Sequence, residues 1–381
     1  MSKAQVKYTE KKLGYLSTLD GWRALSIVAV ILSHDKVHQL WIFNTSAIHD
    51  YGYYGVNVFF AISGLLICSR LLDEERVDGY IHFWRFYVRR FFRILPPAVL
   101  YLLVIGLLAK VSVLALSRKE WLEALLFCRN YKNIFGLTRI GEVGWYTEHF
   151  WSLSLEEQFY LILPLILFLT AKKYKARVAI LVILAAGIAM NRSFLLTSRP
   201  WQHIAYHADA RLDALLVPAL FAVFASDVKS RQVLKRWLRF WPLLALVTVL
   251  LIPIRSEAAW HISLLIILIP CIVLGSVLNP DSVFGRVLEW KWLRFIGRIS
   301  YSLYLWQQLF FTEKFSPGQV LGPWQDWPLS AILTFACALA SYQLLERPMA
   351  RLGHRWAPSA TPGREDLDGT PTPNDKKTQI A

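Results

Sequence analysis

Apolar runs recur along almost the whole chain, bounded by charged residues or Gly/Pro turns, and most are too long and continuous for strands. In order they predict helices over about 24–43, 53–72, 96–116, 151–171, 178–190, 212–225, 240–254, 262–278, 301–311 and 329–345. A crossing of a bilayer takes about 20 largely apolar residues. At roughly thirty residues per crossing plus connection, the length suits about ten crossings. The predicted fold class is all-α, a polytopic integral membrane helical bundle of about ten transmembrane helices.

The breaks between runs are informative. Residues 73–93 are charged and end in an arginine-rich stretch, and Pro96 and Pro97 are expected to open the third helix. The longest break is 117–150, of which 121–127 is apolar enough to dip into a bilayer. From Pro358 the chain is rich in Pro, Thr, Asp and Lys without apolar periodicity, which predicts a disordered tail. The domain reading is a short N-terminal segment over 1–15, a membrane domain over 16–352 and a polar tail over 353–381. Ten crossings put both termini on one side. The Lys/Arg surplus of the alternate connections (Arg85, Arg89, Arg90 and Arg93; Lys172 and Lys173; Lys235 and Arg236) makes that side cytoplasmic, N-in and C-in.

Composition agrees. Of 381 residues, 55% are hydrophobic and the mean hydropathy is +0.37, more apolar than a soluble domain of this size requires. A net charge of +15 raises the question of nucleic acid, but in a membrane chain surplus Lys/Arg sets topology, and no nucleic-acid partner is expected. Cys68, Cys128, Cys271 and Cys337 lie in or beside apolar segments without paired spacing, so they form neither a disulfide framework nor a metal motif. The first apolar run lacks a small-x-small cleavage site and contains His34-Asp-Lys, which reads as a retained signal anchor.

That first helix holds the strongest candidate chemistry. Arg23 and His34 are eleven residues apart, close to three turns, so they project from nearly one face about 16 Å apart. Ionisable groups within a crossing usually face the protein interior and mark function. A neutral imidazole can take a proton from an alcohol and return it to a leaving group, with Asp35 as one candidate to orient it. A packing histidine is the bland alternative. His34 and His38 are spaced for a shared metal, but no third ligand has diagnostic spacing, and no metal is predicted. Arg85, Arg89 and Arg93 form a helical stripe beside Arg90, suited either to gripping phosphates or to lipid headgroups. In Trp151-Ser-Leu-Ser-Leu-Glu156-Glu157, Ser154 and Glu157 have capping-box spacing, which leaves Glu156 as the site candidate. Arg211 and Asp213 are read as a structural ion pair with a site role in reserve. An enzyme and an exporter of a polar envelope precursor both fit these residues, and a non-catalytic scaffold or sensor is a third reading.

Seven motifs then stand in order: Leu19-Asp-Gly-Trp-Arg23 with His34, Val58-Phe-Phe-Ala-Ile-Ser63-Gly-Leu-Leu-Ile67, Arg89-Arg-Phe-Phe-Arg93, Trp151-Ser-Leu-Ser-Leu-Glu156, Arg211-Leu-Asp213-Ala-Leu-Leu216, Ile299-Ser-Tyr-Ser-Leu-Tyr304-Leu-Trp306 and Leu345-Glu-Arg-Pro348. Together they resemble the acyltransferase 3 family of membrane O-acyltransferases, over about residues 16–352. The resemblance implies an acyl-CoA donor, commonly acetyl-CoA. It also implies a hydroxyl acceptor on a carbohydrate or glycoconjugate, and a place in the cytoplasmic (inner) membrane among its lipids. The family's Arg-x10-His element maps onto Arg23 and His34, its Arg-x-x-Arg element onto Arg90 and Arg93 with Arg89 beside them, and its Trp-Ser-Leu-x-x-Glu element onto Glu156. Asp35, Ser63, Arg211, Asp213, Tyr304 and Gln307 are the further site candidates. Two positions depart from the pattern: Gln307 stands where the family usually has His, and Pro218 where it usually has Gly. Gln307 cannot act as a base, and hydrogen bonding to substrate is its remaining expected role.

Overall fold

The computed structural model describes residues 17–34, 45–131, 144–199, 201–251, 258–312 and 320–358, and among them all regular structure is helical. The first four helices are α1 (Ser17–His34), α2 (Thr45–Asp78), α3 (Phe83–Lys110) and α4 (Arg118–Leu125). After the one-turn α5 (Trp145–Glu148) come α6 (Phe150–Leu169) and α7 (Tyr174–Leu195). The short α8 (Trp201–Ile204) and α9 (Ala208–Arg211) lead into α10 (Asp213–Ser226), α11 (Val228–Trp237) and α12 (Trp241–Leu251). The chain continues through α13 (Ala259–Leu278), α14 (Val283–Leu288), α15 (Lys291–Arg298), α16 (Ser300–Phe310) and α17 (Leu329–Ser341). A π-helical turn, Tyr342–Glu346, joins α17 to α18 (Arg347–Trp356).

Among the described residues, six helical stretches are long and apolar enough to cross a membrane: Tyr51–Asp78, Phe83–Lys110, Trp145–Leu169, Tyr174–Leu195, Ala259–Leu278 and Leu329–Trp356. The other four predicted crossings overlap α1, α10, α12 and α16, which are shorter or more polar; residues 35–43 of the first and 252–254 of the seventh lie outside the described residues. Burial sorts the helices. The apolar windows of α2 and α13 are two-thirds buried, whereas α7 turns Ile183, Met190 and Phe194 outward, as expected of a surface facing hydrocarbon.

Pro96 and Pro97 do not begin the third helix, as expected from sequence; they lie inside α3, and the arginine stripe and the apolar span form one helix of 28 residues. Pro164, Pro218 and Pro270 likewise sit within helices. Proline removes an intrahelical hydrogen bond, but in membrane helices neighbouring helices and local backbone adjustment compensate. The charged segment is also divided differently. α2 continues to Asp78, and only residues 79–82 separate it from α3.

Close backbone approach fixes α1 against its neighbours, while Leu25, Val28 and Leu32 leave one face exposed. It packs against α2 on one side and α15 on another. Gly297 of α15 faces the Asp20 carbonyl, and Gly21 of α1 faces the Leu288 carbonyl, each with no room for a Cβ. α2 meets α10 in the same way at Gly64, whose missing Cβ would lie 2.9 Å from the Pro218 ring. Pro218, the departure noted in the sequence, therefore packs against a glycine on the facing helix. At the other end of the chain α18 packs along α3, and its connection is fixed by buried Glu346, which accepts from Ser302 Oγ at 2.7 Å. The sequence predicts a polar tail over 353–381, with disorder from Pro358; α18 takes in 353–356, and residues 359–381 lie outside the described residues.

Candidate functional site

A cavity of about 110 Å³ lies between α1, α2, α3, α6 and α16. Its polar lining includes Arg23, Ser63, Arg90, Arg93, Glu156 and Tyr304, all named from the sequence. Glu157, Tyr160 and Ser152 join them. Tyr160 links two of its carboxylate and hydroxyl groups: its hydroxyl donates to Glu156 Oε2 at 2.9 Å and lies 2.8 Å from Ser63 Oγ. With the tyrosine proton committed to the carboxylate, Ser63 is the donor in the second bond. The Arg90 guanidinium stands over the Tyr160 ring, 5.1 Å from its centroid. Arg23 reaches the same space from α1 while pairing with Asp20 at 3.0 Å. Tyr304 Oη is 2.6 Å from Ser152 Oγ and donates to the His149 carbonyl.

The expected capping box at Ser154 does not form. α6 begins at Phe150, so Ser154 is already one turn inside; its hydroxyl donates to the Phe150 carbonyl and accepts from the Arg129 amide. Glu157 consequently has no capping role and lines the cavity beside Glu156. The sequence signal misled because the spacing of a capping box also occurs within a helix. A true capping box begins α4, between Ser117 and Glu120.

A second, smaller cavity of about 50 Å³ shares Ile67, Arg90 and Arg93 with the first. Arg70 of α2 and Arg351 and His354 of α18 line it as well. Nothing in the sequence pointed to these three, because the packing of α18 on α3 is a tertiary fact. Arg89 lines this cavity too, but its guanidinium bridges Glu74 at 3.2 Å and the Ala357 carbonyl at 3.1 Å. Glu74, Asp78 and His82 come within 4.8 Å of one another, with Arg89 and Arg85 paired to the two carboxylates.

His34 is not among the residues lining either cavity. It lies at the opposite end of α1 from Arg23, with Nδ1 2.9 Å from Gln307 Oε1 and its ring edge-on to Trp145 at 5.9 Å. Gln307 is fully buried. Its role is contact with His34, which the sequence reading did not foresee. Asp35 and His38 lie outside the described residues.

Arg211 and Asp213 do not pair, correcting the sequence reading. Arg211 ends α9 and Asp213 begins α10, and each reaches a partner on another helix. Asp213 takes both oxygens to Arg192 Nη1, at 2.9 and 2.8 Å, and Arg192 Nη2 donates to Ser263 Oγ. Arg211 instead donates to Asn57 Oδ1 at 2.8 Å, with Tyr53, Phe60, Trp151 and Trp201 around its guanidinium. Arg192 carried no sequence signal beyond being a charge within an apolar helix.

The arrangement places a carboxylate pair and three guanidinium groups around one partly open, largely apolar cavity, with a second cationic space behind Arg90 and Arg93. Such a site can hold a polyanionic ligand by its phosphates and steady charge developing on a reacting carbonyl. A family model described as an acyltransferase domain matches residues 16–343. A relative in Staphylococcus aureus (strain COL), provisionally named an O-acetyltransferase, is 28% identical over 391 residues, covering 95% of this chain and 62% of the relative. The O-acetyltransferase OatA of Staphylococcus aureus (strain NCTC 8325 / PS 47) is 26% identical over 371 residues, covering 90% of this chain and 58% of that protein. The chain thus spans about three-fifths of the length of these relatives. No solved structure matches it.

Proposed function

The chain belongs to the acyltransferase 3 family, and on that premise we propose that it is a multi-pass O-acyltransferase of the cytoplasmic membrane. It transfers an acyl group, acetyl in the first instance, from acyl-CoA to a hydroxyl of a carbohydrate or glycoconjugate acceptor of the cell envelope or for export. The observation that supports this best is the cavity uniting Arg23, Glu156, Arg90 and Arg93 inside an apolar bundle. The six long helices, with α1, α10, α12 and α16 as further crossings, make ten. The distribution of Lys and Arg puts both termini in the cytoplasm.

In this reading the donor enters from the cytoplasm and its phosphates meet Arg90 and Arg93, with Arg70 and Arg351 behind them. Forked guanidinium hydrogen bonds suit phosphate oxygens. Arg89 supports the stripe by tying α2 and the end of α18 together. His34 takes the proton of the acceptor hydroxyl; Arg23, about three turns away on α1, steadies the negative charge of the donor's phosphates, and Glu156 orients its partners through Tyr160. Arg211 and Asp213 tie α9 and α10 to α2 and α7 rather than react. The exporter reading has no comparable support from the family match.

Purified protein in lipid vesicles, given labelled acetyl-CoA and an envelope glycan extract, tests the proposal. Label in the glycan fraction with wild type and its loss with His34→Ala is the expected result. Full transfer by His34→Ala, or no CoA release with any acceptor fraction, sinks it.

A further inference from the structure

We propose that Gln307 and Gln308 form an amide relay, anchored on the Trp145 carbonyl, that fixes the tautomer of His34 and makes Nε2 its basic nitrogen. The inference deepens the acyl-transfer reading above and rests on it for its catalytic meaning. Its geometric part stands alone.

The chain of hydrogen bonds has one self-consistent polarity. The Trp145 carbonyl can only accept, so the Gln308 group 2.9 Å from it is the NH2 end. A reversed amide would set two oxygens against each other. Gln308 Oε1 is therefore the end facing Gln307, and it accepts from Gln307 Nε2 at 3.0 Å. That fixes Gln307 in turn, leaving its Oε1 as the atom 2.9 Å from His34 Nδ1. An amide oxygen accepts only, so Nδ1 carries a hydrogen. In the neutral ring the lone pair is then on Nε2.

The anchor is itself held. Trp145 Nε1 donates to the Gln308 carbonyl at 3.0 Å, so the two residues exchange two hydrogen bonds. Gln307 and Gln308 are 0% and 1% exposed, which keeps water from offering the amides a second arrangement. Burial makes the wrong polarity costly, since each misaligned bond would leave a desolvated polar pair. A packed ring edge-on to His34 completes the arrangement.

The consequence for the reaction is directional. The acceptor O–H bond breaks as its oxygen bonds the thioester carbonyl carbon, and His34 Nε2 takes the proton. The C–S bond then breaks, and Nε2 gives that proton to the departing thiolate. Throughout, Nδ1–H donates to Gln307 Oε1, a bond that strengthens while the ring is cationic. Gln307 and Gln308 are positioning residues, since neither touches the reacting atoms in this scheme.

Nitrogen-15 NMR of the full-length protein in nanodiscs, with labelled histidine, reads the tautomer without donor or acceptor. The His34 signals are assigned by their loss in His34→Gln, at a pH where the ring is neutral. Protonated Nδ1 and unprotonated Nε2 are expected; the reverse overturns the relay whether or not the protein transfers acyl groups. Gln308→Met keeps side-chain length but removes the anchor. It is expected to give a mixed tautomer and to lower kcat about 10–100-fold, with KM for acetyl-CoA within about twofold. A kcat close to wild type, or a lowered kcat with the tautomer unchanged, would overturn the relay. By contrast, the expected tautomer together with full transfer by His34→Ala would refute the acyl-transfer role and leave the geometry standing.

Discussion

Gly297 faces the backbone carbonyl of Asp20 at a separation that excludes even a methyl group. Asp20 is also the ion-pair partner of Arg23, so the contact sets where Arg23 sits. Gly297→Ala should push α1 from α15, lowering stability by about 1–3 kcal/mol as an overpacked contact. Thermal unfolding in detergent measures it. The outcome that refutes close packing is an unchanged midpoint.

Arg192 and Asp213 are 0% and 3% exposed in their side chains. Removing one partner leaves a buried charge uncompensated. Arg192→Leu is therefore expected to destabilise by about 3–5 kcal/mol, and Arg192→Leu with Asp213→Leu to recover much of that loss. If instead Arg211→Leu, Asp213→Leu and their double variant showed the strong coupling, the pairing described here would be wrong.

The arginine stripe should separate into two phenotypes. Arg93→Ala removes a cavity-lining cation, and a raised KM for the acyl donor is expected, with protein amounts in the membrane unchanged. Arg89→Ala breaks the bridge from Glu74 to the Ala357 carbonyl, so lowered thermal stability should dominate. Equal effects of both variants on KM alone would contradict this division.

Glu156→Gln keeps an acceptor for the Tyr160 hydroxyl but loses the charge. Acyl transfer should fall by about tenfold or more while folding is preserved, because the hydrogen bond survives. Glu157→Gln tests the carboxylate that sequence reasoning set aside, and a smaller fall in kcat is the expected outcome. Steady-state kinetics with labelled donor decides between them.

Much of the bundle was legible because lipid imposes a simple rule: long apolar runs become helices whose backbone groups are satisfied internally. The positions of α2, α6, α7 and α13 follow from that rule. Local signals were less dependable where they have two meanings. Pro96-Pro97 reads as a helix start, yet α3 runs through it. Ser154-x-x-Glu157 reads as a cap, yet it lies a turn inside α6. Arg211 and Asp213 are close in sequence, but their partners, Asn57 and Arg192, come from other helices. Gln307 looked like the loss of a useful histidine; only its contact with His34 gives it a role.

Arg90 and Arg93 line both cavities. A polar space inside a bilayer protein is a hazard to the membrane potential, because hydrated ions follow such spaces. Two fixed cations at the boundary between compartments make entry unfavourable for protons and metal cations, as guanidinium groups do in selective pores. The same pair would attract the phosphates of a donor. One feature thus accounts for how an anionic ligand can be drawn deep into the protein without turning the bundle into a leak.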